Sequence, residues 1–224
     1  DILISGKLKN SESKADALKD LLLAVFADTR FLFHSDVEPT QRMQNHELVG
    51  RLSAFLWRSA PDQRLFDLAS RDGPITDAEL SAEVRRMLAD ARADRFITDF
   101  TASWVAFSKL DQIAINPNYY RWWNPKFKDY MKLEPIAFLK TLLREDLSCL
   151  NCLSSDFMVV NDVMAKYYGV GLPASGHRFS RVPAPEGRGG VLTQAAFLLA
   201  HSDGEDAHAV NRGVWIRGRL LGDP

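Results

Sequence analysis

Apolar residues recur along this chain mainly at helical spacing. Leu18, Leu21, Leu22, Val25 and Phe26 form one stripe. Leu48, Leu52, Phe55 and Leu56 form a second, with Asn45 placed to cap it. Pro61 suits the first turn of a short helix carrying Leu65, Phe66 and Leu68. Thr76 and Glu79 have the spacing of a capping box, ahead of Leu80, Val84, Met87 and Leu88. Phe96, Phe100, Trp104 and Phe107 fall at i, i+4, i+8 and i+11, an aromatic stripe on a single helix face. Asn124-Pro125 opens a long helix through about Leu147. Pro135 lies inside that helix and is expected to kink or split it, because proline lacks an N–H and its ring clashes with the preceding turn.

The pattern changes after Gly169. Glycine and proline crowd the stretch to Gly190, a long joint with a short strand expected at Arg178–Val182. Two further helices are predicted, about Val191–Ala200 and Val210–Leu221. No strand–helix alternation supports a parallel sheet. The fold class expected is all-α: a multi-helix, bundle-like domain over 17–170, then the joint and a two-helix module over 171–224. Residues 1–16 read as an upstream linker or the tail of a preceding domain.

Composition narrows the function classes. The 224 residues are 46% hydrophobic and 25% charged, which is a globular balance. Twenty-eight basic against 29 acidic side chains leave a net charge of −1, so there is no whole-chain attraction to nucleic acid. The longest stretch free of Asp, Glu, Lys and Arg, Gly189–Ser202, is 14 residues, short of the roughly 17–25 a membrane helix needs. Two cysteines exclude a disulfide framework and a four-cysteine zinc site. The chain starts at Asp1 with no basic-then-apolar leader and stops after Leu221-Gly222-Asp223-Pro224, so both ends read as cuts within a longer polypeptide.

Three segments carry candidate chemistry. The first is the turn from His201 to His208. His201, Asp203, Asp206 and His208 are a mixed imidazole–carboxylate set of the kind that holds a divalent metal, although the spacing is neither an EF-hand nor a His-Glu-x-x-His motif. The competing reading is a helix end at His201, a turn at Gly204 and an N-cap from Asp206. Arg212 lies just beyond, placed to pair with Glu205 or Asp206, and Gly213 implies close backbone packing within a helix. The second segment is the aromatic run Tyr119, Tyr120, Trp122 and Trp123, which either stacks on a sugar ring or a partner or plugs a core. The third is Cys149 and Cys152. Their Cys-x-x-Cys spacing is followed by Leu153 rather than the histidine of haem attachment, and no βαβ setting supports a redox pair.

Several short motifs, taken in order, carry a family resemblance. They are Arg51-Leu52-Ser53 with Phe55-Leu56-Trp57, Ser59-Ala60-Pro61-Asp62, and Val84 through Asp90. Further on come Leu143-Arg144-Glu145-Asp146, Asp156-Phe157 with Asn161, and Tyr167-Tyr168-Gly169-Val170. The last quarter adds Arg188 through Gln194, Gly204 through His208, Arg212 through Trp215, and the Leu220–Pro224 ending. From about Ala17 to Pro224 the chain resembles two consecutive domains of unknown function from planctomycete-type exported multidomain proteins that also carry cytochrome c modules.

That resemblance implies export to the periplasm or outside the cell, and haem c on another part of the polypeptide or a partner. No haem is expected to be covalently attached within this chain. It implies a non-catalytic scaffold supporting electron transfer by haem modules elsewhere, with the remaining domains of the same polypeptide as partners. His208, Arg212 and Trp215 then become haem- or domain-facing contacts, Arg212 toward a haem propionate, and export makes a local Cys149–Cys152 disulfide an alternative to two reduced thiols. The family carries no established activity, so no catalytic residue transfers. Two other functions stay open: a metal-dependent enzyme domain acting on a polysaccharide or other polymer, and a carbohydrate- or protein-binding module using the aromatic run. The family often has Ser-Asn-Gly where this chain has Ser202-Asp203-Gly204, and His-Pro where it has His208-Ala209. The aromatic run and the cysteine pair are not family features.

Overall fold

The computed structural model describes residues 14–29, 43–116, 118–121, 123–171 and 176–223. It is 61% helical and 5% strand, an all-α fold with one small sheet. Packing divides the chain into two units, Asp1–Gln44 and Asn45–Pro224, so the sequence boundary at 170/171 falls inside the second. The first unit contributes one described helix, α1 (Lys14–Phe26), on which Leu18, Leu22, Leu23, Val25 and Phe26 are exposed. Most of the expected upstream tail lies outside the described residues. Among the described residues no helix is long and apolar enough to cross a membrane.

The second unit begins with α2 (Asn45–Trp57), α3 (Gln63–Ser70) and α4 (Asp77–Ala89). They close over a core that includes Val49, Leu56, Trp57, Leu65, Ile75 and Met87. Trp57 is fully buried, donates Nε1–H to the Met87 carbonyl at 3.0 Å, and carries the Arg92 guanidinium 3.4 Å above its ring. Asp62 caps α3 through the Leu65 amide and pairs with Arg86 at 2.9 Å. The motifs around Trp57, Asp62 and Arg86 therefore build a packing corner. The Thr76–Glu79 capping box forms as expected. Two starts differ. Asp62 rather than Pro61 begins α3, and Asn45 is the first residue of α2, its amide bridging Gly73 O at 2.8 Å and Ile75 N at 3.1 Å.

The larger core is shared by α5 (Ala93–Val105), α6 (Phe107–Gln112), α7 (Phe127–Arg144), β1 (Phe157–Val160), α8 (Asp162–Tyr168), β2 (Ser180–Pro183), α9 (Ala195–Ala200) and α10 (Ala209–Arg219). β1 and β2 pair antiparallel, Phe157 opposite Pro183 and Val160 opposite Ser180. β1 was not expected: four buried apolar residues have no alternation to reveal a strand. Pro135 does not split α7. That helix buries Met131, Glu134, Pro135, Phe138, Leu139 and Leu142, and their packing offsets a cost of about 3 kcal/mol for an internal proline.

The aromatic stripe is also displaced. α5 buries Ala93, Ile97, Thr101 and Val105, one residue over from Phe96, Phe100 and Trp104. Ala106 then takes a left-handed conformation, φ 64°, which ends α5 and turns Phe107 inward on a new helix. Phe96, Phe100 and Trp104 are left lining an apolar groove of about 900 Å³ together with Leu143, Leu150 and Ile216.

Candidate functional site

The turn after α9 is built by its own backbone. His201 ends the helix, Ser202 bridges Ala207, and the Asp203 carboxylate accepts the Glu205 amide at 2.9 Å and the Asp206 amide at 2.7 Å. Those amides hold the Asp203 carboxyl below the usual carboxylate range, with a smaller contribution from His208, whose Nε2 lies 3.2 Å away. The expected cap at Asp206 is not made; the residue before α10 is His208. Gly204 has φ 96°, and a Cβ there would stand 2.0 Å from the Ala114 carbonyl oxygen. Only glycine permits this approach of the turn to the loop after α6.

The same loop leads into the aromatic run. Asn116 donates to Glu205 Oε1 at 2.5 Å, and the Tyr120 hydroxyl donates to the Glu205 carbonyl at 2.9 Å. Lys128 pins the start of the loop through the Ile113 carbonyl at 2.6 Å. Two candidate segments some 80 residues apart thus meet and enclose a pocket of about 170 Å³. Its wall includes Tyr120, Trp123, Tyr167, Ser202, Glu205 and Asp206. Tyr119 is 71% exposed and outside the pocket lining, and Trp122 lies outside the described residues.

The four metal candidates do not converge. His201 is 1% exposed, its Nδ1 bonded to the Phe197 carbonyl at 2.8 Å and its ring packed on Phe197 and Trp215. Asp203 and His208 pair with each other in solvent. Among the described residues no group of three His, Cys, Asp or Glu side chains is placed to hold a metal ion.

Trp215 needs correction as a domain-facing contact. It is 7% exposed, donates Nε1–H to the Trp104 carbonyl at 2.8 Å, and stacks edge-on to Phe197 at 4.8 Å, because the core after α5 needs a large apolar group there. His208 is exposed. Arg212 is half-buried, forms no ion pair among the described residues, and its Nε is buried without a partner. The close packing inferred at Gly213 is not found: a Cβ there meets nothing within 4 Å.

The family described as PSD4, protein of unknown function (DUF1592), matches residues 43–170. The chain belongs to the DUF1592 family. A second family, PSCyt3, protein of unknown function (DUF1588), matches residues 188–224. No curated protein and no solved structure matches. The pocket joins the two regions: Tyr120 and Trp123 come from the DUF1592 part, Ser202 and Gly204 through Ala207 from the DUF1588 part.

Cys149 and Cys152 occupy one 3₁₀ turn of the DUF1592 part and are free cysteines in this structure, Cys149 exposed and Cys152 half-buried. Burial, aided by Cys149, pushes the Cys152 thiol up to about 11. Brief alkylation near neutral pH is expected to add one label, at exposed Cys149, with Cys152 reacting far more slowly; peptide mass mapping checks this. Neither residue fits a covalently held haem, since Leu153 follows Cys152.

The sequence reading missed Glu134. Its signal was a carboxylate in the buried register of α7, between Met131 and Phe138. Glu134 is fully buried; Oε2 accepts the Tyr168 hydroxyl at 2.6 Å, Oε1 has no hydrogen-bond partner among the described residues, and the Tyr168 oxygen accepts the Ala195 amide at 2.7 Å. Burial pushes its carboxyl up to about 8 against an ordinary 4.5. Between those values the folded chain holds a proton that the unfolded chain releases, so this group's contribution to stability falls as pH rises from 4.5 to about 8. Glu134→Gln, an isostere of the neutral acid, is expected to flatten that slope and to gain on the order of a few kcal/mol near pH 8. Urea unfolding midpoints across pH test this.

Proposed function

We propose that this chain is a non-catalytic interaction and scaffold part of an exported, cytochrome c-associated multidomain protein, supporting electron transfer by haem modules outside it. The observation that carries the reading is the pocket shared by the two family regions. Gly204 against Ala114, Asn116 on Glu205 and Tyr120 on Glu205 lock a binding surface that neither region forms alone. The second family's name and the motif resemblance supply the cytochrome c context.

The metal-dependent enzyme reading has no comparable support, since its four ligands are spread over a buried ring, an exposed pair and a separate carboxylate. The binding-module reading is favoured by the same pocket and is compatible with a scaffold role. The test is retention of the haem-bearing remainder of the polypeptide by the immobilised chain, followed by haem absorbance. Retention that falls about tenfold in Tyr120→Ala/Glu205→Ala supports the reading, given the usual effect of losing central contacts. Absence of retention by the unaltered chain overturns it.

A further inference from the structure

The pocket between the loop after α6 and the turn after α9 has a composition that selects its ligand. Three of its walls are aromatic, Tyr120, Trp123 and Tyr167, and two residues, Glu205 and Asp206, bring carboxylates. Among the described residues, no Lys, Arg, His, Asn or Gln lines it. Asp206 has no side-chain partner among the described residues, so its charge is not neutralised locally. The floor is apolar, from Met131, Leu198 and Leu199.

We infer that this pocket binds an organic cation, an alkylated ammonium head group. This rests on reading the pocket as a binding site. A cation is drawn to the negative faces of aromatic rings, and more strongly where the ring is partly removed from water. Two carboxylates add a field of the same sense. The volume, about 170 Å³, is close to that of a cavity known to hold one benzene, so it suits a single compact group and not a polymer chain.

Two rival ligands fit less well. A sugar ring needs several directed donors as well as acceptors, and two of the lining hydroxyls are spent, Tyr120 on the Glu205 carbonyl and Ser202 on the Leu199 carbonyl. An inorganic cation needs a shell of oxygen ligands to replace its water, and an apolar floor does not supply one. An alkylated ammonium needs no directed hydrogen bonds and gains from the apolar floor.

The experiment is calorimetric titration of the 224-residue chain at low salt with tetramethylammonium chloride, with its neutral near-isostere 2,2-dimethylpropan-1-ol, in which carbon replaces the cationic nitrogen and one methyl carries a hydroxyl, and with glucose. Tetramethylammonium is expected to bind and the neutral isostere to bind about tenfold more weakly. Glu205→Gln/Asp206→Asn is expected to weaken the cation about tenfold with an unchanged thermal midpoint, because both residues are exposed and glutamine can keep the Asn116 hydrogen bond. Trp123→Leu, checked for an unchanged circular-dichroism spectrum, is expected to weaken it similarly. Equal binding of the cation and its isostere, or no effect of removing the two charges, overturns the cation assignment. Binding of glucose alone overturns it while leaving a binding site in place. Binding of none of the three overturns both this inference and the ligand-binding role of the pocket.

Discussion

Trp215→Ala is expected to lower the stability of the chain by about 3–5 kcal/mol, the usual cost of deleting a buried indole. Two losses combine. The ring leaves a void among Trp104, Phe197 and His201, whose centroids lie 5.4, 4.8 and 6.1 Å away. The Trp104 carbonyl also loses its indole N–H donor. At roughly 2–4 °C per kcal/mol for a chain of this size, the thermal midpoint falls by about 10 °C. Trp215→Phe keeps much of the volume and loses the hydrogen bond, so it falls in between. A Trp215→Ala chain that melts like the parent, with weakened association with other domains, would return this residue to the domain-facing role that the resemblance implies.

Gly189→Ala is expected to be at least as damaging. Gly189 has φ 110°, and a Cβ at this position would stand 1.9 Å from the Ser155 carbonyl oxygen, which is backbone and cannot step aside. Its amide and carbonyl are both held by the Thr193 hydroxyl, at 3.1 and 3.2 Å, so the residue has little room to rotate. Backbone strain and forced displacement together predict a loss of more than about 3 kcal/mol, seen as a shifted urea midpoint or failure to accumulate folded protein. Gly213→Ala is the internal contrast. It sits in α10 with nothing within 4 Å of the added methyl, so it is expected to gain about 0.5–1 kcal/mol from helix propensity. The same substitution, 24 positions on, thus changes sign because one glycine is packed on backbone and the other is open.

Local signals were legible where they act locally. The Thr76–Glu79 box depends on residues three apart, and it formed. That α2, α4 and α10 are helices was also readable, although Phe55 of the expected α2 stripe and Val210 and Val214 of α10 are exposed. Failures came where long-range packing chose between equivalent local options. Phe96, Phe100 and Trp104 define a helix face as clearly as Ala93, Ile97, Thr101 and Val105 do, and only the neighbouring helices decide which one is buried. β1 is short and wholly buried, so its sequence has no period.

The candidate site was half readable. The aromatic run and the acidic turn stood out separately, but nothing in either foretold that Tyr120 would reach Glu205. That join depends on Gly204 lying against Ala114, a contact set by the tertiary path. Trp215 misled because the resemblance groups it with His208 and Arg212, which are exposed and half-buried, while its own side of α10 faces inward.

The hydrogen bond between Trp215 and Trp104 joins residues 111 positions apart. During synthesis, α5, α7 and β1 emerge well before the segment that covers them. Until residue 215 has left the ribosome, the surfaces destined for Phe197 and Trp215 face water. Contacts of such separation slow folding, and incomplete cores are prone to aggregate. The nascent chain therefore passes through a window of vulnerability that closes only when α10 docks, which makes this a protein whose yield should depend on chaperone capacity and translation speed as much as on its final stability.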